Sequence, residues 1–515
     1  MRFFNTAGPC RPDIHYMLPP TARLSDVQQL IDQQSYFIIY GPRQIGKTTA
    51  MLTLAQELTR AGRYAAVLVS MEVGAPFKDD PGAAELAMLE TWRSAAGWQL
   101  PPELQPPDWS ESVPGARLGA ALEAWCKAIP RPLVIFLDEI DALQDMTLIS
   151  VLRQLRRGYW TRPAAFPWSL ALIGMRDVRD YKVASGGSET LTTSSPFNIK
   201  TESLTLRLFN ASEVAELYGQ HVAETGQVFT SAALQRAFEL TQGQPWLVNA
   251  LARQAVQVVV RDVSRPIDVA HIEQAKELLI QRQDTHLDSL AERLRESRVR
   301  RVIEPILSGQ ALADIPFDDI RFVLDMGLCR MDPSGGLTIA NPIYREIIPR
   351  VLATVPQASL PSIRPTWLRA DGSLDPAAML EAFLAFWRQH GQPLLGSAPY
   401  HEIAPHLVLM AFLHRVANAG GTLEREYAIG SGRMDLCLRY GELILGIELK
   451  VWRDDNPDPL SEGLEQLDSY LEGLGQQSGW LVIFDRRSGQ PPIRQRTGSA
   501  EVLSLAGRRI TVIRA

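Results

Sequence analysis

The sequence lacks the features of a membrane or secreted protein. No apolar run reaches the roughly 18 residues that a bilayer-spanning helix needs. The first residues, MRFFNTAGPCRPDIHY, have no positively charged region followed by an apolar segment, so we expect no secretory signal. The 4 cysteines are scattered singly, which disfavours a disulfide framework or a zinc site. We therefore predict a cytoplasmic protein with no membrane partner.

Positive charge is also scarce. The 52 lysines and arginines are outnumbered by 58 aspartates and glutamates, which gives a net charge of −6. This balance excludes binding to nucleic acid through overall charge, so any DNA contact must be local or aided by a metal ion. With 515 residues, 46% of them hydrophobic and 21% charged, the chain should form about three or four folded domains.

A phosphate-binding loop follows the first apolar strand. SYFIIYGPRQIGKTTAMLTLAQEL predicts a strand, a loop and an amphipathic helix, and GPRQIGKT fits the pattern G-x-x-x-x-G-K-[ST] in full. Glycines let backbone N–H groups surround phosphates, and the helix N-terminus adds positive potential. Lys47 should reach the β- and γ-phosphates of ATP, and the Thr48 hydroxyl should bind Mg²⁺. The predicted nucleotide-binding residues of this loop are Gly41, Pro42, Arg43, Gln44, Ile45, Gly46, Lys47, Thr48 and Thr49.

Two further apolar strands predict the rest of an ATPase site. PLVIFLDEID suits a central parallel strand, with Asp138 holding Mg²⁺ and Glu139 orienting the attacking water, while Asp141 caps the next helix. WSLALIG ends just before Arg176, which either senses the γ-phosphate or lies in a solvated loop. The arginines at 156 and 157 either act across the interface of a homo-oligomer or form a solvated helix end.

The middle of the chain predicts helices followed by a winged helix. Helical apolar spacing begins near Asn210 and Ser212, which are candidate caps, and continues as a lid. A DPSGG turn between two short strands then completes the winged-helix pattern. The basic cluster of this segment either touches phosphates or makes an internal regulatory contact; its members are Arg298, Arg300 and Arg301.

Three charged residues, Asp435, Glu448 and Lys450, lie in the strand interiors of an apolar-rich hairpin, GRMDLCLRYGELILGIELKVW. A turn at residues 440–442 places Asp435 opposite Glu448, and Glu448 shares one strand face with Lys450. Two neighbouring carboxylates repel one another unless a cation joins them, which favours Mg²⁺ or Mn²⁺ between Asp435 and Glu448. Lys450 could then activate water beside the metal. The alternative is a surface hairpin that carries an ordinary Glu–Lys pair.

The motifs of residues 1–353 resemble those of the AAA-like ATPases of bacteria and archaea. The similar stretches are FNTAGPCRPDIHYMLPP, GPRQIGKTT, LDEID, LIGMRDVRDY and TQGQPWLVNALA. These ATPases are similar to the STAND branch of AAA+ proteins, in which a Gly-x-Pro of the helical lid contacts adenine. The resemblance implies that Pro245 does so here; the alternative is that Pro245 only begins a helix.

The order helix, strand, hairpin, helix, strand in residues 372–515 resembles the PD-(D/E)XK nuclease fold. It looks most like the nuclease-like domain that follows AAA-like ATPase domains, although Met434 stands where the family name has proline. The resemblance implies that Asp435 and Glu448 bind the metal and that Lys450 is catalytic. It also implies a further metal ligand on the first helix and two residues that line the site, namely Glu402, Gln466 and Tyr470.

These patterns predict an α/β multidomain protein with a P-loop ATPase core built on a parallel sheet. We expect an ATP-regulated, metal-dependent DNA nuclease, and the resemblance places such proteins in conflict with phage or mobile elements. The alternative is a nucleotide-operated sensor or scaffold that binds DNA or a regulatory protein partner without cleavage. The predicted segments are the ATPase core 1–206, a helical lid 207–284, a winged helix 285–354, a proline-rich linker 355–371 and a restriction-endonuclease-like α/β domain 372–515.

Overall fold

The computed structural model describes residues 1–24, 26–109, 111–175, 199–282, 293–307, 312, 315–332, 335–359, 365–397, 404–417, 420–429, 432–454 and 456–515. Internal contacts divide the chain into two compact units. The first consists of Met1–Arg282 and Arg321–Met331, and the second of Gln283–Ile320 and Asp332–Ala515. This division is coarser than the five predicted segments, whose boundaries stay predictions.

A parallel sheet forms the centre of the first unit. Its five strands are β1 (Tyr36–Tyr40), β2 (Ala65–Ser70), β3 (Leu133–Asp138), β4 (Ser169–Gly174) and β5 (Glu202–Thr205). They lie in the order β2-β3-β4-β1-β5, so β4 separates the strand before the phosphate loop from the strand that ends in Asp138. Every residue of β3 is buried, because apolar clusters cover both faces of the sheet.

Helices supply those two apolar layers. Helix α2 begins directly after Gly46 and buries Met51, Leu54 and Leu58 on one face, as the spacing of its apolar residues predicts. The core helices are α1 (Val27–Asp32), α2 (Lys47–Arg60), α3 (Pro81–Gln99), α4 (Arg117–Ala128) and α5 (Asp145–Gly158). The lid consists of α6 (Ala211–Thr225), α7 (Ser231–Thr241), α8 (Pro245–Gln254) and α9 (Val269–Arg282).

The predicted helix caps have different outcomes. The side chain of Asn210 accepts a hydrogen bond from the N–H of Glu213 at 2.9 Å, and the Glu213 carboxylate accepts from the N–H of Asn210 at 2.8 Å. This capping box begins α6 at the predicted place. Ser212 is not the cap, since its hydroxyl donates to the Asn210 side chain. Asp141 is not a cap either, because it lies in a 3₁₀ turn and α5 begins only after that turn.

The segment before the core, residues 1–24, packs along the lid. The Tyr16 hydroxyl lies 3.3 Å from Nδ1 of the buried His221 in α6. The N–H of Cys10 donates to the Thr49 hydroxyl at 3.0 Å, so the same segment also reaches the first turn of α2. The N-terminal segment therefore connects the lid to the helix that follows the phosphate loop.

The second unit contains a six-stranded mixed sheet. Before it come two short strands, β6 (Cys329–Met331) and β7 (Leu337–Ile339), which flank the turn predicted at residues 332–336. The sheet consists of β8 (Gly421–Ile429), β9 (Gly432–Tyr440), β10 (Leu443–Trp452), β11 (Ser478–Asp485), β12 (Gly498–Leu503) and β13 (Arg509–Arg514). Its order is β12-β13-β11-β10-β9-β8; β8, β9 and β10 are antiparallel, whereas β11 is parallel to β10.

The remaining helices complete the second unit and part of the first. They are α10 (Ser297–Leu307), α11 (Phe317–Asp325), α12 (Pro342–Ser359), α13 (Pro376–Ser397), α14 (Ala404–Ala417), α15 (Leu460–Leu474) and α16 (Ile493–Arg496). Helix α14 packs on β8 and β9, and α15 packs on β9, β10 and β11. Within the described ranges, no helix is long and apolar enough to span a membrane.

The hairpin of β9 and β10 has the register predicted from its sequence. Gly441, with a φ of 57°, and Glu442 form the turn, and Tyr440 pairs with Leu443. The paired residues run on to Leu436 opposite Ile447. The next position along the ribbon therefore carries Asp435 and Glu448, as the sequence predicts.

Two observations bear on the interpretation of the middle of the chain. Helix α12 continues into the segment predicted as a linker, and Pro356 lies within it. It packs against α14, and Arg350 of α12 donates to the carbonyl of Leu423 at 3.1 Å, so tertiary contacts oppose the break that proline predicts. Two arginines of the basic cluster bind Asp319, Arg298 at 3.2 Å and Arg301 at 2.6 Å, which favours the internal contact over phosphate binding.

Candidate functional site

The phosphate loop connects β1 to α2. Gly41 has a φ of 148° and Gly46 a φ of 94°, conformations that residues with a side chain rarely adopt. The ammonium group of Lys47 donates to the carbonyls of Gly41 and Pro42, at 2.7 Å each. Burial lowers the pKa of Lys47 to about 8. Lys47 thus lies at the centre of the loop. Phosphate oxygens can replace the two carbonyls as acceptors of its N–H groups.

The two predicted Mg²⁺-binding residues meet beside this loop. The Thr48 hydroxyl donates to Oδ2 of Asp138 at 2.7 Å, and the N–H of Glu139 donates to Oδ1 of Asp138 at 3.0 Å. Burial raises the pKa of Asp138. A hydroxyl and a carboxylate next to the phosphate loop are the oxygen ligands that Mg²⁺ prefers. The residues present therefore fit the ion that the loop predicts.

Glu139 lies at the carboxyl end of β3 in a left-handed conformation, with a φ of 58°. This region is unusual for a glutamate and marks a backbone position held by its surroundings. The Ser70 hydroxyl, at the end of β2, donates to Oε2 of Glu139 at 3.2 Å. Burial and the neighbouring carboxyl of Glu72 raise the pKa of Glu139, which suits a group that accepts a proton near neutral pH.

A cavity opens from the phosphate loop towards the lid. Its walls include Gly46 and Thr49 of the loop and helix α2, Arg23 of the N-terminal segment, and Pro245 and Asn249 of helix α8. One end of the cavity is therefore the phosphate-binding loop, and the other is formed by the lid. A nucleotide whose phosphates lie on the loop would therefore extend towards the lid through this cavity.

The sequence offers two roles for Pro245, a contact with adenine or the start of a helix, and its location is compatible with both. It is the first residue of α8, and it also lines the cavity. The preceding Gly243 has a φ of 72°, and a side chain there would collide with the carbonyl oxygen of Phe209 at 1.8 Å. The Gln244 side chain caps α8 by accepting from the N–H of Leu247 at 2.6 Å. The Gly-Gln-Pro sequence thus fixes the start of the lid helix that borders the cavity.

The sequence offers three further arginines for the ATPase site. Arg176 lies outside the described residues. Arg156 and Arg157 are exposed in the last turn of α5, where they form the solvated helix end that the sequence left open. Their role across an interface between two chains stays a prediction.

The second candidate site lies on the hairpin of β9 and β10. The carboxylate Oδ2 of Asp435 accepts from the N–H of Leu449 at 2.8 Å, and the ammonium of Lys450 lies 3.5 Å from Oε1 of Glu448. Glu448 is 4% exposed, and its Oε2 has no hydrogen-bond partner among the described residues. Burial, together with the charge of Asp435, raises the pKa of Glu448 well above its usual range.

A buried carboxylate pair of this kind fits a divalent cation. Oxygen ligands suit Mg²⁺ or Mn²⁺, and a cation would relieve both the repulsion from Asp435 and the unpartnered oxygen of Glu448. Across the described part of the chain, no group of three or more histidine, cysteine, aspartate or glutamate side chains is arranged for a metal. Glu402, the third predicted ligand, lies outside the described residues.

Helix α15 completes this site with polar residues. Lys450 donates to Oε1 of Glu462 at 3.1 Å and also to the side-chain oxygen of Gln466. Burial lowers the pKa of Lys450, but the carboxylates of Glu448 and Glu462 outweigh it and raise the pKa above its ordinary value. Burial and the charges of Glu448 and Asp435 raise the pKa of Tyr470, which agrees with its predicted place at this site.

Several residues of the two sites were missed from the sequence, among them Ser70, whose hydroxyl donates to Glu139. Arg23 comes from the segment before the core, and no motif marks it. Asn249 follows Pro245 by one helical turn, so helical periodicity could have placed it on the same side of α8. Glu462 likewise precedes Gln466 by one turn on α15, and the same reasoning would have found it.

The strand order and the phosphate loop define an α/β fold of the P-loop ATPase class for the first unit. No family model matches the chain, and no curated protein matches it. Among solved structures, a Walker-type ATPase of Pyrococcus abyssi is similar, with 12% identity and a TM-score of 0.47 over 66% of this chain and 98% of that one.

Two DNA-associated proteins are also similar. ORC1 of Aeropyrum pernix, solved in complex with DNA, has 15% identity and a TM-score of 0.36 over 64% of this chain and 92% of its own. The Holliday junction branch migration motor RuvB of Thermotoga maritima has 15% identity and a TM-score of 0.33 over 61% of this chain and 88% of its own. Likenesses this distant indicate neither substrate nor activity, so the fold assignment rests on the strand order and the loop.

Proposed function

We propose that this protein is an ATP-hydrolysing enzyme of the STAND-like AAA+ type whose second unit carries a Mg²⁺- or Mn²⁺-dependent nuclease of the PD-(D/E)XK type. DNA is the proposed substrate of the nuclease, and ATP is proposed to control it. The observation that carries the nuclease assignment is the buried Glu448 beside Asp435, with an unpartnered oxygen and Lys450 at 3.5 Å. A surface hairpin with an ordinary Glu–Lys pair would not bury that carboxylate.

The residues of the first unit support ATP hydrolysis. Lys47 would bind the β- and γ-phosphates, and Thr48 and Asp138 would hold Mg²⁺, which when bound neutralises phosphate charge. Glu139 accepts a proton from the attacking water, because its raised pKa makes it a better base than an ordinary glutamate. Ser70 orients the Glu139 carboxylate through the hydrogen bond from its hydroxyl.

The residues of the hairpin support phosphodiester hydrolysis. Asp435 and Glu448 would hold the metal ion, which when bound stabilises negative charge on the phosphate and lowers the pKa of bound water. The N–H of Leu449 donates to Oδ2 of Asp435 and so fixes the orientation of this carboxylate. Lys450 is aimed by Glu462 and Gln466, and its positive charge stabilises the phosphate on which charge accumulates.

A cleavage assay tests this proposal. Plasmid and single-stranded DNA are incubated with the full-length protein and Mg²⁺ or Mn²⁺, with and without ATP. We expect wild type to cut DNA and Asp435→Asn and Lys450→Ala to lose cleavage while still hydrolysing ATP. Glu465→Gln, on the exposed side of α15, is the matched control and should behave as wild type. Lys47→Ala should lose ATP hydrolysis and thereby reveal whether ATP controls the nuclease.

A second candidate function is a nucleotide-operated sensor that does not cut. The observation that favours it is the pairing of Arg298 and Arg301 with Asp319, because it removes two cations from any DNA-binding surface of the winged-helix segment. Normal ATP hydrolysis by wild type, with no cleavage under any metal or nucleotide condition, would select the sensor over the nuclease.

A further inference from the structure

Arg23 is a buried arginine with no carboxylate in contact. Arg23 is only 7% exposed. Among the described residues, its guanidinium forms no ion pair. Nη1 donates to the carbonyl of Ile45 at 3.0 Å and to the carbonyl of Arg207 at 3.1 Å. The described residues supply no acceptor for Nε. Neutral carbonyls therefore hold the guanidinium, which keeps an uncompensated positive charge.

The acidic group that acts most strongly on Arg23 already binds another arginine. Glu213 raises the pKa of Arg23 through space, although burial has the larger effect and lowers this pKa to about 10. The Glu213 carboxylate binds the guanidinium of Arg207 with two hydrogen bonds, of 2.6 and 2.7 Å. Arg23 is thus charged at neutral pH and lacks an anion of its own.

This charge lies against the phosphate loop. Arg23 lines the same cavity as Gln44, Gly46 and Thr49. A Cβ atom at position 46 would lie 2.9 Å from Nη2 of Arg23, so the guanidinium lies directly against the loop at this glycine. The other side of the guanidinium faces the Phe209 ring, whose centroid is 4.7 Å from the guanidinium carbon.

We propose that Arg23 binds the α- and β-phosphates of a nucleoside di- or triphosphate held by the loop. The inference rests on the nucleotide binding proposed above and adds a phosphate ligand from the segment that precedes the core. Nη1 is saturated by two carbonyls, which leaves the N–H groups of Nε and Nη2 for phosphate oxygens. Because Nη1 also holds the carbonyl of Arg207, at the entry to the lid, Arg23 links bound phosphate to the position of the lid.

A purely structural role makes a different prediction. If Arg23 only joined Ile45 to Arg207, its loss would loosen the whole cavity. The binding of adenosine, ADP and ATP would then weaken to a similar extent. If Arg23 binds phosphate, only the phosphorylated ligands are affected, and ADP and ATP are affected to a similar extent. The comparison of adenosine with ADP therefore separates the two roles.

The experiment measures binding of adenosine, ADP and ATP to the full-length protein by calorimetry, with ligand-induced thermal shifts for weak binding. Arg23→Gln should weaken the binding of ADP and ATP by about 10- to 100-fold. Its affinity for adenosine should stay within about twofold of wild type. Arg23→Lys keeps the positive charge but loses the planar, two-pronged guanidinium. Its affinities for ADP and ATP should therefore lie between those of wild type and Arg23→Gln. Arg60→Gln, at an exposed position in the last turn of α2, is the control and should match wild type.

Each result bears on the inference. Equal weakening of adenosine and ADP, or unchanged ADP binding in Arg23→Gln, overturns it. If Arg23→Gln does not fold, Arg23→Lys decides by the same comparison. Failure of the proposed nucleotide binding is distinguishable, because wild type would then bind neither ADP nor ATP and Lys47→Ala would change nothing.

Discussion

The hydroxyl of Thr48 donates to Oδ2 of Asp138 across 2.7 Å, although the two residues are 90 positions apart in the chain. The first belongs to the first turn of α2, and the second ends β3. Strand β1, which leads into the phosphate loop, and strand β3 are parallel and lie on either side of β4. Their carboxyl ends therefore lie at the same edge of the sheet. A hydroxyl and a carboxylate held in contact in this way form a pre-organised pair of oxygen ligands next to the phosphate loop.

We predict that Thr48→Val lowers Mg²⁺-dependent ATP hydrolysis by about 10- to 100-fold. The change keeps the shape of the side chain but removes the hydroxyl that is proposed to bind Mg²⁺, so affinity for ADP without Mg²⁺ should stay within a few-fold of wild type. Thr48→Ser retains the hydroxyl and serves as the control. Steady-state hydrolysis over a Mg²⁺ titration makes the measurement; equal Mg²⁺ dependence in Thr48→Val and wild type would contradict the assignment.

We predict that Asn249 favours adenine over guanine. Its Nδ2 donates to the carbonyl of Pro245 at 2.8 Å, which fixes the orientation of the amide. Oδ1 then points away from that carbonyl and can accept a hydrogen bond. Oδ1 is buried and has no partner among the described residues. The exocyclic amino group of adenine can donate to it, whereas the corresponding group of guanine is an acceptor.

Asn249→Ala should therefore reduce the preference for ATP over GTP by about tenfold. Competition of ATP and GTP for a fluorescent ADP analogue measures the preference directly. Gln235→Ala, on an exposed lid position, is the control. A preference that is unchanged in Asn249→Ala would show that the base does not reach this acceptor.

We predict that Glu462→Gln lowers metal-dependent cleavage about tenfold without lowering the unfolding temperature. Glu462 is 66% exposed in its side chain, and an exposed ion pair contributes little to stability. It does, however, hold the ammonium of Lys450 in place together with Gln466. Cleavage rates and thermal unfolding are compared with those of Glu465→Gln; a loss of stability in parallel with activity would point to a structural role instead.

Local patterns were sufficient to predict the conformation of the phosphate loop and the register of the hairpin. The phosphate loop is a continuous stretch of residues, and the pairing of Asp435 with Glu448 follows from one turn and the alternation of side chains. Arg23 could not be found in this way. It lies 22 residues from Ile45 and 184 from Arg207, and its function depends on contacts that only the folded chain creates.

Helix ends were harder to predict because tertiary contacts override local preference. Pro356 favours a break, yet α12 continues through it to Ser359 while its earlier turns pack on α14. Asp141 has the side chain of a cap, but the chain turns through a 3₁₀ segment before α5 begins. In both places the sequence signal was real and the neighbouring structure outweighed it.

We predict that acid weakens helix α14 through His414. Burial lowers the pKa of His414 to about 4, with a smaller contribution from the charge of Arg350. The unfolded chain has the ordinary value of about 6.5, so between these values only the unfolded state takes up the proton. Stability is therefore complete above about pH 6.5 and is lost as the pH falls towards 4.

At pH 5.5 the expected loss is about 1 kcal/mol, which is close to a tenfold fall in protection of the α14 amides from hydrogen exchange. The measurement compares exchange of peptides covering Ala404–Ala417 at pH 7.5 and 5.5, corrected for intrinsic rates. His414→Gln cannot take up the proton and should lose this pH dependence, whereas His271→Gln, on lid helix α9, should retain it. The same fall in protection in His414→Gln and wild type would assign the acid sensitivity to another group, because no proton could then bind at position 414.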